Sequence, residues 1–171
     1  MSKKKRTKPA AIDFDFGIEG VIPSTQEAYR PEGTADLAVR KRESERKKLF
    51  TEAVSADLRG QLREHPHFPS RGDVFVFIVQ YLAGETLFRD RDVDNLAKTM
   101  LDLLNGVIYK SDGQVRVLLV VKKRTDNRVT QNFAYVAIKE LADGGDMEIL
   151  KLAGSERAVT RFQELKSRGV F

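Results

Sequence analysis

Cysteine is absent from the 171 residues, which excludes disulfides and thiolate-ligated zinc and suits a reducing, cytoplasmic compartment. Histidine is scarce. The two that occur, His65 and His67, alternate within the proline-broken run His65-Pro66-His67-Phe68-Pro69, which reads as a turn rather than as an imidazole metal site. Long apolar stretches are also missing. Nothing approaches the roughly 20 residues needed to cross a bilayer, and the N-terminus has no secretory apolar segment, so no membrane partner is expected. Any metal bound by this chain is therefore expected on oxygen ligands.

What is present is a soluble-type composition, 41% hydrophobic and 32% charged, on a length that fits one domain with a single core. The net charge of +5 is concentrated. Lys3, Lys4, Lys5, Arg6 and Lys8 supply it, and without them the basic residues equal the 25 acidic ones. Residues 1–11 read as a basic disordered tail, which either holds phosphate backbones without reading sequence or serves as a solubilising terminus. The body carries no basic excess that by itself points to nucleic acid.

Hydrophobic periodicity gives a coarse map. In Ile12 to Ile22, Ile12, Phe14, Phe16 and Ile18 alternate with Asp13, Asp15 and Gly17, the period of a half-buried strand. A polar loop over 24–36 precedes a helix expected from Asp36, its N-cap, to Glu64, with Phe50, Val54, Leu58 and Leu62 as its apolar stripe. The charged run Arg40 to Lys48 reads as a solvated face with pairs such as Glu43–Lys47, or as a phosphate-contacting ridge. Asp73 to Ala83 is β-branched, aromatic and almost wholly apolar, a central buried strand. Val93, Leu96, Ala97, Met100, Leu101 and Leu104 then mark an amphipathic helix that starts after Asp92 and stops at Asn105-Gly106. Gln114 to Arg124 and Gln131 to Leu141 read as a hairpin joined by the polar Thr125 to Thr130, and Ser155 to Ser167 as a last helix. The fold class expected is α+β. It is a two-layer sandwich of a mixed sheet against helices, in the order β-α-β-α-β-β with a C-terminal helix.

The chemistry lies in Arg91 to Val115. Asp92 and Asp94 are two apart, which inside one helix would put them about 200° apart. As extended N-cap and second helical residue they can converge, and the helix N-terminus eases the crowding of charge. Asp94 and Lys98, at i and i+4, share a face. Asp112 can return to the same place, because about twelve helical residues advance roughly 18 Å and the next eight can span up to roughly 26 Å. Asp102 lies about 12 Å along the axis from Asp94 and suits pairing with Lys98 or a partner surface better. Gathered carboxylates need a cation between them, and two or three with retained waters is a magnesium arrangement. A plain helix cap at Asp92 and a plain Asp112-Gly113 turn are the alternatives. An EF-hand is excluded because Asn95 stands where the loop needs glycine and Leu101 where it needs glutamate. A haloacid-dehalogenase-type site is excluded because Gly84 to Arg91 intervenes between the strand and Asp92.

The pattern Asp92-x-Asp94-Asn95-Leu96-x-Lys98, then a helix, then Asp112-x-Gln114 entering a strand, resembles RusA-type Holliday-junction resolvases. The match is densest from Arg91 to Lys122 and looser over most of 12–141. The resemblance implies a homodimeric nuclease domain, placed over 12–150, while the basic tail and a C-terminal helical extension over 151–171 look like additions to the family pattern. It implies cleavage of four-way and other branched DNA with Mg2+, for which Mn2+ can substitute, and it hints at phage or prophage recombination. It makes Asp92, Asp94 and Asp112 the catalytic, metal-binding acids and Lys98 the essential lysine, with Asn95 and Gln114 in supporting positions. Ser111 departs from members that carry another acid there. Arg89, Arg91 and Lys98 are the candidate DNA contacts, with Phe88 as a stacking candidate. For Phe88, Arg89 and Arg91 the alternative is a linker salt-bridged to Asp90. A branched-DNA-binding protein without cleavage, or a nuclease for a different branch, are the other functional readings.

Overall fold

The computed structural model describes residues 12–23, 37–125 and 131–141, with side chains of the first helix described from residue 45 onward. These elements belong to one compact unit, Met1–Glu140, and Leu141–Phe171 form a second. The expected Asp36 cap, the basic tail, the 24–36 loop, Glu43 and the helix at 155–167 lie outside the described residues.

The order is β1 (Phe14–Glu19), α1 (Leu37–Gln61), β2 (Val74–Leu82), α2 (Glu85–Asp90), α3 (Val93–Leu104), β3 (Val115–Arg124) and β4 (Phe133–Glu140). The strands form one mixed sheet, β1-β4-β2-β3. β1 and β2 both run antiparallel to β4, while β3 runs parallel to β2. The expected α+β architecture is therefore present.

The alternation of β1 is as the sequence implies: Phe14, Phe16 and Ile18 are buried and Asp13, Asp15 and Gly17 exposed. Only Ile12, before the strand begins, departs, at 43% exposure. Register carries that inner face across the sheet through Ala134, Val136 and Ile138 to Val74, Val76 and Ile78. Leu58 of α1 and Leu96, Met100, Leu103 and Leu104 of α3 complete the core, with Phe50, Val54 and Leu62 packed at its margin. A fully buried leucine or methionine of this kind contributes about 1.5–3 kcal/mol. Gln80, buried in the middle of β2, is fully partnered. Its Oε1 accepts from Ile22 N at 2.9 Å, and its Nε2 donates to Gly20 O, Tyr81 O and Phe133 O at 3.1, 3.1 and 3.0 Å. Without those partners a buried amide would cost more than it returns.

Two expectations are corrected. β3 and β4 do not form a hairpin, since β2 lies between them. β4 buries residues on both faces, Ala137 as well as Val136 and Ile138, and so needs an interior slot. β3, bearing Arg116, Lys122, Lys123 and Arg124, takes the edge, where such charges deter further pairing. Thr125 and Asn132, after β3 and before β4, are both held at the end of β2: Thr125 N donates to Leu82 O at 3.0 Å and Asn132 Oδ1 accepts from Ala83 N at 2.7 Å. The second correction is α2. Within Gly84 to Arg91, Glu85–Asp90 is a short helix rather than a plain linker, entered through Gly84 at φ 87°, a conformation that favours glycine.

His65 and His67 sit in the expected turn, where Phe68 N donates to His65 O at 3.1 Å. Their rings pack on each other and on Phe14 and Phe68.

Candidate active site

α3 begins as its pattern requires. Asp92 is extended at φ −88° and ψ 140°, in the N-cap position, yet its carboxylate accepts no capping hydrogen bond. It is exposed, as is Asp94 in the first turn. Lys98 follows one turn later on the same face, also exposed, while the opposite side of the helix buries Leu96, Met100, Leu103 and Leu104. Asn95 is on the buried side at 7% exposure.

The helix stops at Asn105, and Gly106 reverses the chain at φ 75°. Tyr109 is buried, and its hydroxyl donates to Leu101 O at 2.9 Å. Ser70 N donates to Ile108 O at 2.7 Å, so this return segment is fixed to the loop before β2. Burial, then the negative charges of Asp112 and Asp102, push the Tyr109 phenol well above its ordinary range. It stays protonated and keeps donating.

Asp112 opens a single 3-10 turn built as a capping box. Ser111 Oγ accepts from Gly113 N at 3.4 Å, and Gln114 Oε1 accepts from Lys110 N and Ser111 N at 2.8 and 3.1 Å. The Gln114 amide also donates to Ser70 O at 3.1 Å and Gly72 O at 2.7 Å. Gln114 thus ties the acid-bearing turn to the loop before β2. The Asp112 carboxylate itself accepts from Asn105 Nδ2 at 3.1 Å.

The return brings Asp112 to α3 as the residue count allowed. Asp94, Lys98 and Asp112 line one open groove of ≈ 790 Å³, with Asp102 on the same wall and Val93, Ala97, Leu101, Leu118, Leu119 and Val120 as its apolar lining. Asp92 is not among the lining residues. Among the described residues no three acidic or histidine side chains stand close enough to form a metal cage by themselves. The donor set nevertheless fits a hard, water-retaining cation: exposed oxygen ligands, two of them on one groove beside a lysine, with Asp92 uncapped by any hydrogen bond at the start of α3.

Asp102 pairs with Lys47 of α1 at 3.7 Å, not with Lys98. Arg89 is exposed and paired with Glu85 one turn back, not with Asp90. Arg91 is half-buried, its Nε and Nη1 shielded from solvent. Phe88 is half-buried beneath the Lys122 ammonium, 4.7 Å from the ring centroid. Three contacts around these residues are new with the structure: Asn105 on Asp112, Lys122 on the α2–α3 joint, and the box around Asp112. Ser111-x-x-Gln114 was a readable capping-box signal. The other two depend on tertiary contacts.

The family model for endodeoxyribonuclease RusA matches residues 20–131. That range holds α1, β2, α2, α3 and β3, and with them every residue of the groove. No curated protein matches the chain. With more than half its length matched, the chain belongs to the RusA endodeoxyribonuclease family.

Proposed function

We propose that the chain is a magnesium-dependent endonuclease that resolves four-way DNA junctions, and that Asp92, Asp94, Asp112 and Lys98 carry the reaction. The observation that carries this reading is that Asp94, Lys98 and Asp112, from a helix entrance and a distant turn, line one groove. Membership of the RusA family supports the nuclease class.

Asp92, Asp94 and Asp112 would hold the cation, which when bound lowers the pKa of a water and screens the charge of the scissile phosphate. Lys98 brings a positive charge to the phosphoryl oxygens as they gain charge in the transition state. Asn105 and the Gln114 box keep Asp112 oriented, so that its carboxylate need not be ordered when substrate arrives. Lys98 in the groove and the exposed Arg89 of α2 supply the phosphate contacts. A junction presents two equivalent strands, so two symmetry-related sites in a C2 homodimer fit the task.

The test is cleavage of synthetic four-way, three-way, flap and linear duplex DNA in Mg2+, Mn2+ and EDTA, with Asp94→Asn and Asp112→Asn as controls. Metal-dependent cutting confined to the four-way junction, and abolished in both variants with binding retained, is the expected result. Cutting by Asp94→Asn at the wild-type rate refutes the assignment. Junction binding in EDTA without cleavage in either metal points instead to a non-catalytic branched-DNA protein.

A further inference from the structure

We propose that Lys122 of β3 is a positioning residue that fixes the segment joining α2 to α3, and through it the carboxylates of Asp92 and Asp94; its link to catalysis rests on the nuclease reading above. Three basic residues end β3, but they are not alike. Lys123 and Arg124 are exposed, as expected of charges that protect a sheet edge. Lys122 is half-buried and pairs in register with the buried Gln80, on the sheet face that carries the helices.

Its ammonium is committed inside the protein. Nζ donates to Phe88 O at 2.7 Å and to Arg91 O at 2.7 Å, and lies 4.7 Å from the centroid of the Phe88 ring. An ammonium has three donors, and two of them go to these carbonyls while the charge rests on an aromatic face. Lys122 is not among the residues lining the acid groove. Its charge is therefore spent on backbone and not on substrate phosphate.

The two carbonyls lie on either side of the joint. Phe88 O belongs to the last turn of α2, where carbonyls lack helical partners. Arg91 O is in the extended residue directly before Asp92. α2 has six residues and no side-chain cap at Gly84, too short to stand alone. Bridging it to the residue before α3 fixes the direction from which Asp92 and Asp94 enter the helix. A supporting group of this kind matters because an error of about 1 Å in a catalytic group costs orders of magnitude in rate.

The experiment compares the full-length chain with Lys122→Met and Lys122→Arg in three measurements. The first is residue-level amide hydrogen exchange without metal or DNA. In Lys122→Met the amide of Leu96, which donates to Asp92 O at 3.2 Å, should exchange about tenfold faster or more, as loss of hydrogen bonds to a charged group implies. Lys122→Arg, which keeps a donor cation, should restore most of the protection. The second is single-turnover cleavage of a four-way junction, expected to slow by about 10–100-fold in Lys122→Met and to recover in Lys122→Arg. The third is junction affinity in EDTA against salt, expected to be unchanged. Unaltered exchange at Leu96 overturns the proposal whatever happens to cleavage. So does a fall of about one in the salt slope, the mark of a lost phosphate contact. If Lys122→Met does not fold, a Lys122→Arg variant that folds but leaves the Leu96 amide unprotected overturns it equally. A wild-type chain that binds the junction but cuts it in neither Mg2+ nor Mn2+ refutes the nuclease reading alone, because the exchange result still decides the role of Lys122.

Discussion

Asn105 Nδ2 donates to Asp112 Oδ1 at 3.1 Å, so the residue that ends α3 holds the carboxylate that opens the next turn. The hydrogen bond is exposed and adds little to stability, but it restricts the rotation of a carboxylate in the groove. Asn105→Ala should therefore lower junction cleavage by about tenfold while leaving the melting temperature nearly unchanged. Asn105→Asp should act differently. A carboxylate at 105 cannot donate to Asp112 and repels it, so cleavage should fall further than in Asn105→Ala. Single-turnover cleavage rates of the two variants check both, and wild-type rates in both would remove Asn105 from the site.

Gln114 makes four hydrogen bonds that join the acid turn to the loop before β2. Gln114→Leu leaves two amides and two carbonyls to find other partners, and should cost about 1–3 kcal/mol of stability. Gln114→Glu keeps an acceptor for Lys110 N and Ser111 N but turns an oxygen toward Ser70 O and Gly72 O. Urea unfolding should show both variants destabilised, and cleavage measured below their transitions should fall more than junction binding does.

Asp102 shares the groove wall with Asp94 and Asp112 but is bound to Lys47. An exposed ion pair of this length is worth about 0–1 kcal/mol. Asp102→Asn should leave both the melting temperature and most of the cleavage rate intact, in contrast to Asp94→Asn and Asp112→Asn. A loss equal to theirs would make Asp102 a fourth member of the acid set.

These contrasts track what was legible in the sequence. The period of two in Phe14, Phe16 and Ile18 and the period of 3.6 in Leu96, Met100 and Leu104 fix which side chains face inward, and both hold. Chain length alone allowed Asp112 to return to α3, and it does. Strand order was not legible, because a polar six-residue stretch between two strands suits a hairpin as well as a step over the end of β2. What decides is the double-sided burial of β4 at Ala137 and Ile138, together with the hold of Thr125 and Asn132 on β2. α2 was hidden for a related reason: six residues are too few for a periodic signal, and a lysine over thirty positions downstream holds them. That Asp94 and Asp112 come to one groove was legible from spacing, whereas the contacts of Asn105 and Lys122 are ones that no local pattern announces.

The buried Tyr109 gives a test by pH. Burial, then Asp112 and Asp102, raise its phenol above the ordinary 10.0. The unfolded chain releases this proton near the ordinary value, while the folded chain retains it to higher pH. Over that interval the unfolded state binds fewer protons, so stability falls as pH rises. The contribution is fully present below about pH 10 and is lost as pH climbs toward the raised value. Tyr135 is raised in the same direction by its hydrogen bond to Asp15, so part of the slope has a second source. Tyr109→Phe should cost about 0.5–1.5 kcal/mol at neutral pH, because Leu101 O loses its donor. Between about pH 9 and about pH 11 its stability should then decline less steeply than that of the wild type, with the Tyr135 share remaining. Urea midpoints across that range measure the difference. Equal slopes would mean that Tyr109 ionises as freely folded as unfolded, and that the charges of Asp112 and Asp102 do not reach it.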